Sequence, residues 1–304
     1  MPKPAFDSPE YQHALATCVR WDPEREEPYL QLPSFPDLRL TPFRAGIEDE
    51  YVTLFNHKSI GQRLYTLPWP MDRTYVDEWV AGTQPLMRAS VAQLVDALAA
   101  PLPDTASAAA TTPLAARADA HIASFPFKTL RSVSTGKVVG DYHMAPMTES
   151  QGVHPDMPDK RASDITPADM LALAPEAQVW QMGYVLDPAY SGRGITTEAV
   201  ACVLAGWVVP WMKVGKMCAW IEYNNPASAA ILMRNGFEFV ADEPAVEKTG
   251  RWRFSGFYAR TLRADARDGV PRASADWRAK REEAVKVAAV GLAEMEKEGK
   301  SRPI

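Results

Sequence analysis

Two glycines near the middle of the chain have the spacing of an anion-binding loop. Gly192 and Gly194 lie between a strand-like run, 179–186, and a helix-like segment that follows directly. Glycine tolerates a positive φ, and its missing Cβ lets an anion come close to the backbone. The first N–H groups of a helix have no partners within the helix, and the helix dipole favours negative charge there. Together with the charge of Arg193, these features predict a site for an anionic ligand.

A second block of polar residues follows the next strand-like run, 216–223. Asn225 and Ser228 stand at the start of a helix, where both residue types commonly cap free N–H groups. That helix is predicted to stop at the sequence Arg234-Asn-Gly-Phe237.

Taken in order, these segments resemble the Gcn5-related N-acetyltransferase (GNAT) superfamily, and within it the ribosomal-protein N-acetyltransferase-like branch. The resemblance covers roughly 37–262, with interruptions, and has a weaker echo in 38–70. Its motifs are Gly183-Tyr184…Asp187-Pro188, Ser191-Gly-Arg-Gly-Ile-Thr196 and Asn225-x-x-Ser228…Arg234-Asn-Gly-Phe237. Ser191 stands where the superfamily usually has Gln or Arg, and Thr196 where it usually has Gly or Ala. Neither replacement removes the backbone amides of the loop, and the Thr196 hydroxyl is suited to capping the helix.

The resemblance implies an α/β fold: a mixed, mostly antiparallel sheet with helices on both faces and a splayed central strand pair, 179–186 and 217–223. It also implies acetyl-CoA as co-substrate and no metal. The main chain of Val185 and Leu186 would bond the pantetheine arm, and Asn225 would bond the arm, cap its helix, or both. The implied pyrophosphate-binding residues are Ser191, Gly192, Arg193, Gly194, Ile195 and Thr196.

Acetyl transfer to an amine calls for a proton donor to the departing thiolate and an acceptor for the ammonium proton. The resemblance implies that Ser228 protonates the thiolate, and an equally weighted alternative is that Ser228 only caps its helix. Glu222 is the first candidate for the general base, because it lies on the strand beside the expected cleft. Tyr184, Asp141 and His143 are the other candidates, and each has a structural role as its alternative.

Composition narrows the class of protein. The 304 residues carry a net charge of −5, which argues against nucleic-acid binding through a general basic surface. Three cysteines without Cys-x-x-Cys spacing argue against a disulfide scaffold, and the five histidines lack metal-ligand spacing. The sequence shows neither a signal core at its start nor a membrane-length apolar run, which predicts a cytoplasmic protein without a membrane partner. A monomer and a homodimer are equally compatible with it.

Three regions are predicted. An irregular N-terminal arm, 1–36, precedes an acetyltransferase domain, 37–264, and a helical extension, 265–304, follows it. The domain carries insertions near 85–120 and 145–175, and the alanine-rich stretch 104–112 is expected to be mobile because it offers little to bury.

The sequence therefore predicts an acetyl-CoA-dependent N-acetyltransferase that works by direct attack in a ternary complex. A small-molecule amine is the first expectation for the acceptor, and a peptide or protein amine, N-terminal or lysine, is the alternative. An idle acyl-CoA-binding regulatory module is a third possibility. A phosphate-loop nucleotide-binding protein is disfavoured because no Gly-Lys-Ser/Thr follows the glycines.

Overall fold

The computed structural model describes residues 8–64, 67–98, 113–114, 121–147, 157, 159–160, 164–222, 225–246 and 252–262. Its α-helices are α1 (Pro9–Ala16), α2 (Glu48–Asn56), α3 (Lys58–Gly61), α4 (Arg73–Ala97), α5 (Pro167–Ala172), α6 (Ile195–Cys202) and α7 (Pro226–Arg234). Its strands are β1 (Val19–Asp22), β2 (Glu27–Gln31), β3 (Leu38–Thr41), β4 (Thr129–Ser132), β5 (Val138–Pro146), β6 (Val179–Leu186), β7 (Lys216–Glu222), β8 (Glu238–Val246) and β9 (Trp252–Thr261). The stretch 104–112 and the C-terminal extension lie outside the described residues.

The described strands form one sheet in the order β1-β2-β3-β4-β5-β6-β7-β9-β8. The pair β6–β7 is parallel, and the other neighbouring pairs are antiparallel. Helices pack on both faces of this sheet: α6 joins the larger apolar core, and α2 and α4 form a second one. The predicted fold class, a mixed and mostly antiparallel sheet with helices on both faces, is confirmed.

The central parallel pair separates along its length. Within the described strands, β6 and β7 pair from Val179 with Lys216 to Gln181 with Cys218 and not beyond. Past that point β6 stays paired to β5 as far as Leu186, and β7 stays paired to β9 as far as Glu222. Each strand is therefore held on its outer side while a gap opens between them, as the splayed pair predicted from the resemblance requires.

The N-terminal segment differs from its prediction as an irregular arm. Its described part contains α1 and a hairpin of β1 and β2, and β2 pairs with β3 to extend the main sheet. Trp21 and Leu30 are buried in the larger core. These apolar side chains explain why the segment folds onto the domain, since their burial stabilises it.

The first predicted insertion begins inside a helix. Asp72 caps α4, its carboxylate accepting the N–H of Tyr75 at 2.7 Å. The helix then continues through Pro85 to Ala97, so the boundary at residue 85 is not a structural one. A proline within a helix removes the bond to the carbonyl four residues earlier. Here that carbonyl belongs to Ala81, which is exposed, so water can take the place of the missing donor.

One long apolar helix crosses the larger core. α6 continues directly into a π-helical segment, Val203–Met212, and 83% of the combined stretch Ile195–Met212 is buried inside the protein. By length and composition alone this stretch could cross a membrane, but Trp207 and Trp211 stack within the core at 5.5 Å between ring centroids. The segment is the core helix of the domain, and its start carries the loop described next.

Candidate active site

The loop between β6 and α6 has the backbone that its glycines predict. A 3₁₀ turn, Pro188–Tyr190, leads from β6 to Gly192 at φ 74° and Gly194 at φ 83°. Both values lie in the left-handed region, which glycine adopts without the Cβ penalty of other residues. Gly194 is the N-cap of α6, and a residue without a side chain leaves the first N–H groups of the helix without a side-chain cap. The arrangement matches a site for an anion at a helix N-terminus.

The residues around this loop divide into exposed and buried sets. Ser191 and Arg193 are exposed, and the Arg193 guanidinium lies over the Tyr190 ring at 5.6 Å. Ile195 and Thr196 are buried in the first turn of α6. The hypothesis that Thr196 caps the helix is wrong, because Gly194 holds the cap position and Thr196 lies two residues inside the helix.

The direction of the main chain along β6 follows from its register with β5. The Asp187 N–H donates to the Val139 carbonyl at 2.8 Å, which marks a hydrogen-bonded pair. Such pairs alternate along antiparallel strands, so Val185 opposite Asp141 is also hydrogen-bonded to β5. The Val185 carbonyl accordingly lies only 2.7 Å from where a Cβ on Gly140 of β5 would stand. The main chain of Val185 is therefore used within the sheet, contrary to its predicted role toward pantetheine.

The even-numbered residues of β6 face the gap instead. At the closed end, the Lys216 N–H of β7 donates to the Gln178 carbonyl at 3.2 Å. By the same alternation, the main-chain groups of Met182, Tyr184 and Leu186 point toward β7, where the two strands have separated. The predicted role of Leu186 is compatible with this register, and Tyr184 takes the place predicted for Val185.

The helix across the gap is capped by Asn225. Its Oδ1 accepts the Ser228 N–H at 3.1 Å, which makes Asn225 the N-cap of α7. The alternative that Ser228 is the cap is therefore wrong, because Ser228 supplies the N–H that the cap satisfies. The Tyr184 hydroxyl donates to the Ser228 carbonyl at 3.3 Å, and burial raises the pKa of Tyr184 well above its usual value. Tyr184 is thus a neutral phenol at physiological pH, which fits a hydrogen-bond donor better than a general base.

The first candidate for the base is held in an ion pair. Glu222, whose side chain is 9% exposed, accepts from the Arg63 guanidinium at 3.2 Å. Arg63 follows α3 and is 41% exposed at the edge of the cleft. No local sequence pattern indicated this pairing, because the two residues lie 159 positions apart.

Asp141 belongs to a different environment. It is buried, accepts the Tyr51 hydroxyl at 2.8 Å and pairs with Lys128 at 3.1 Å. Lys128 in turn lies over the Trp79 ring at 4.6 Å. Burial raises the pKa of Asp141, and Lys128 opposes that rise. Asp141 is absent from the described lining of the cleft, so its structural alternative fits better than the role of base.

The Asn235-Gly-Phe sequence fastens the two helices of the site together. Asn235 is fully buried, and its side-chain amide donates to the Thr197 carbonyl of α6 at 3.1 Å and to the Ile231 carbonyl of α7 at 2.9 Å. Gly236 turns the chain at φ 75°, and Phe237 enters the core. The motif therefore fixes the loop helix against the helix that carries Ser228.

These parts surround one cleft of about 810 Å³. Nearly all of the predicted site residues line it, with Arg193 and Asp141 as the exceptions; they are Tyr184, Val185, Leu186, Ser191, Gly192, Gly194, Ile195, Thr196, Glu222, Asn225, Ser228 and the candidate base His143. Two further contributions come from the flank of α3 and from α7: Arg63 and Arg234. The glycine loop between β6 and α6 thus opens into the gap between β6 and β7, and the cleft around this gap also carries ionisable side chains.

Comparison with known proteins defines the class. Residues 159–238 match the family model described as "Acetyltransferase (GNAT) domain". The matched region contains β6, the glycine loop, α6, β7 and α7, which are the elements that build the cleft. Residues 159–238 are therefore similar to a GNAT acetyltransferase domain, and the predicted superfamily and enzyme class are confirmed.

Several solved structures are similar in outline. The ribosomal-protein-S5-alanine acetyltransferase from Vibrio fischeri is 14% identical, with 74% of this chain and 93% of that chain covered at a TM-score of 0.47. Mycobacterium smegmatis RimJ in complex with CoA-disulfide is 16% identical, with coverage of 81% and 89% at 0.46. An acetyl transfer enzyme of Salmonella typhimurium that modifies the N-terminal serine of ribosomal protein L7/L12 is 13% identical, with coverage of 76% and 99% at 0.47. A comparison with curated proteins finds no match.

Proposed function

We propose that this protein is an acetyl-CoA-dependent N-acetyltransferase whose cofactor lies along the gap between β6 and β7. One observation carries the proposal: a loop with two left-handed glycines at a helix N-terminus opens into the splayed part of the sheet, within one cleft. The amides of the loop suit the pyrophosphate. The gap-facing main chain of Tyr184 and Leu186 suits the amide-rich pantetheine arm, which would pair there as an added strand does.

The length of the gap agrees with this placement. From Met182 to Leu186 the splayed part of β6 spans about 13 Å at roughly 3.3 Å per residue. An arm that starts at the loop after Leu186 and follows the strand backward brings its far end toward Gly183. Bound acetyl-CoA supplies an activated acetyl group at that end, and the surrounding residues supply position and proton transfer.

The thiolate side of the reaction is served by Tyr184 and Ser228. Both line the cleft on the face where α7 packs, and the Tyr184 hydroxyl lies within hydrogen-bonding distance of the Ser228 main chain. A neutral phenol or a hydroxyl is able to donate a proton to a departing thiolate. Both remain candidates for this role, since Asn225 and not Ser228 caps the helix.

For the acceptor we propose the amine of a peptide or protein. The wall of the cleft that faces away from α7 is exposed at Ser59 and Arg63, so the amine can enter while the remainder of a larger molecule stays in solvent. Two of the solved structures above are described as acetyltransferases of ribosomal proteins, so the assay includes protein amines. The small-molecule amine expected from the sequence is the second candidate for the acceptor. We propose the cytoplasm as the location of the reaction.

Two measurements test the function. Calorimetric titration with coenzyme A and acetyl-CoA tests the cofactor site, and thiol release in the presence of an amine panel tests transfer. The panel contains short peptides with free N-termini, N-blocked peptides with one lysine, and alkyl amines. Mass spectrometry then identifies the acetylated product. Binding without thiol release for any amine would instead support the idle acyl-CoA-binding module.

A further inference from the structure

His143 stands on the acceptor side of the cleft. It lies on β5 opposite Gly183 of β6, two residues beyond Gln181, the last β6 residue that pairs with β7. Its side chain is exposed and lines the cleft. Because side chains alternate across a sheet, His143 shares a face with Asp141 and Val185, opposite the face that carries Tyr184. His143 therefore faces the closed end of the gap from the side away from α7.

Space is available beside His143. Gly183 lies directly opposite it, and a Cβ built on Gly183 meets no heavy atom of the described structure within 4 Å. Any other residue at this position would place its side chain on the same face as His143. The pair thus leaves an opening next to an imidazole, at the place where the far end of a pantetheine arm would arrive.

The other ionisable groups near this opening are less suited to accepting a proton. Glu222 is already paired with Arg63, Tyr184 is a neutral phenol, and Asp141 is buried with Lys128. A neutral imidazole keeps one unprotonated nitrogen that is able to accept a hydrogen bond. Among the candidates, His143 alone combines exposure to the cleft with an acceptor nitrogen and an adjacent space.

We propose that His143 is the general base that takes the proton from the acceptor ammonium. This role rests on the proposed acetyltransferase function. One ammonium proton passes to the unprotonated ring nitrogen, directly or through one water, and later to solvent. The freed amine lone pair forms the new C–N bond to the acetyl carbon as the C–S bond breaks. The second nitrogen proton passes through water to the Tyr184 or Ser228 hydroxyl as that group gives its own proton to the thiolate, so the products are an amide, a thiol and the one proton that His143 returns to solvent.

The surroundings of His143 favour its neutral form. Desolvation by the protein packed around the ring is the larger cause and the positive charge of Lys128 the smaller one, and together they lower the pKa of His143 to about 4. Arg63 and Glu222 on the other wall form an ion pair with each other, and Asp141 is paired with Lys128. An ordinary histidine would be half protonated near pH ~6.5. A neutral His143 should therefore keep the enzyme active as the pH falls through that value.

His143→Gln in the full chain tests the role, with the panel amine that reacts fastest. The kcat of the variant should fall by about 10²-fold or more at neutral pH. Its affinity for coenzyme A should not change. The deficit should shrink as the pH approaches the pKa of the acceptor, about 8 for a peptide N-terminus, because solvent then removes the proton. A structural defect would not produce this recovery.

His13→Gln is the matched control, because His13 is an exposed histidine on α1 that does not line the cleft. It should retain full activity at each pH. A His143→Gln enzyme with full kcat and an unchanged pH profile would overturn the role while leaving the acetyltransferase function intact. So would a rate deficit that is constant with pH, or a loss of coenzyme A affinity. A wild-type chain that acetylates no amine of the panel would overturn both.

Discussion

Gly192→Ala is the sharpest test of the cofactor loop. Gly192 has a φ of 74°, and a Cβ added there meets no heavy atom within 4 Å, so the substitution introduces no clash in the described structure. Alanine in the left-handed region costs about 1–2 kcal/mol. The variant loop relieves this strain by leaving that conformation, and binding of the pyrophosphate must then restore it. The strain would appear as lost affinity, about 5- to 30-fold at 1.4 kcal/mol per tenfold.

The chain provides a matched control in Gly136. It has a φ of 71°, and an added Cβ likewise meets nothing within 4 Å, but it lies in the turn between β4 and β5. Gly136→Ala carries the same conformational strain away from the cleft. It should lower the free energy of unfolding by about 1–2 kcal/mol and leave the affinity for coenzyme A unchanged.

Calorimetry with coenzyme A and chemical unfolding, both on the same preparations, separate the two effects. Gly194→Val extends the series, because a β-branched residue is poorly tolerated at its φ of 83°. If folded Gly192→Ala and Gly194→Val proteins bound coenzyme A as tightly as the wild type, the loop would not hold the pyrophosphate. If Gly136→Ala weakened binding as much as Gly192→Ala, the effect would be global rather than local.

Three further outcomes are expected. If Ser228 protonates the thiolate, Ser228→Ala should lower kcat by about 10²-fold and leave stability nearly unchanged. Asn225→Ala removes the helix cap instead and should lower the free energy of unfolding by about 1 kcal/mol. A Ser228→Ala enzyme with the full rate would leave Tyr184 as the proton donor. Gly183→Ala should raise the KM for the acceptor without changing coenzyme A affinity, because its methyl enters the space beside His143, and an unchanged KM would contradict that placement. Tyr11→Phe should lower the free energy of unfolding, measured by urea titration, by about 1.5–3 kcal/mol, because it removes a hydrogen-bond donor from the buried Glu198 carboxylate. A clearly smaller loss would contradict this role of the bond.

Local signals were sufficient for the elements that carry the cofactor site. The strand 179–186 was predicted with the bounds that β6 has, because Asp187-Pro188 closes its apolar run. The positive φ of Gly192 and Gly194 follows from residue type and position alone. Such features depend on neighbours in sequence, which a single chain displays directly.

The remaining features depend on contacts distant in sequence. The predicted role of Val185 failed because the alternation of β6 main-chain groups is set by its register with β5, which no local pattern reports. The ion pair between Arg63 and Glu222 joins segments that only the folded sheet brings together. The predicted insertion begins at 85, yet α4 continues through Pro85, because the exposed position of Ala81 makes the lost hydrogen bond tolerable.

The position of the cofactor loop is fixed by segments far from it in sequence. Glu198 lies in the first turns of α6 and is 3% exposed. Its carboxylate accepts the Tyr11 hydroxyl and the Ser34 N–H, both at 2.7 Å, so the N-terminal segment holds the loop helix from one side. Asn235 holds the same helix from the other side through the Thr197 carbonyl. A buried carboxylate is costly without such donors, so the attachment of the N-terminal segment is strongly favoured once α6 has formed. Because α6 is held from both sides, the N–H groups of its first turn are in place before an anion binds, which leaves more of their interaction with the anion available as affinity.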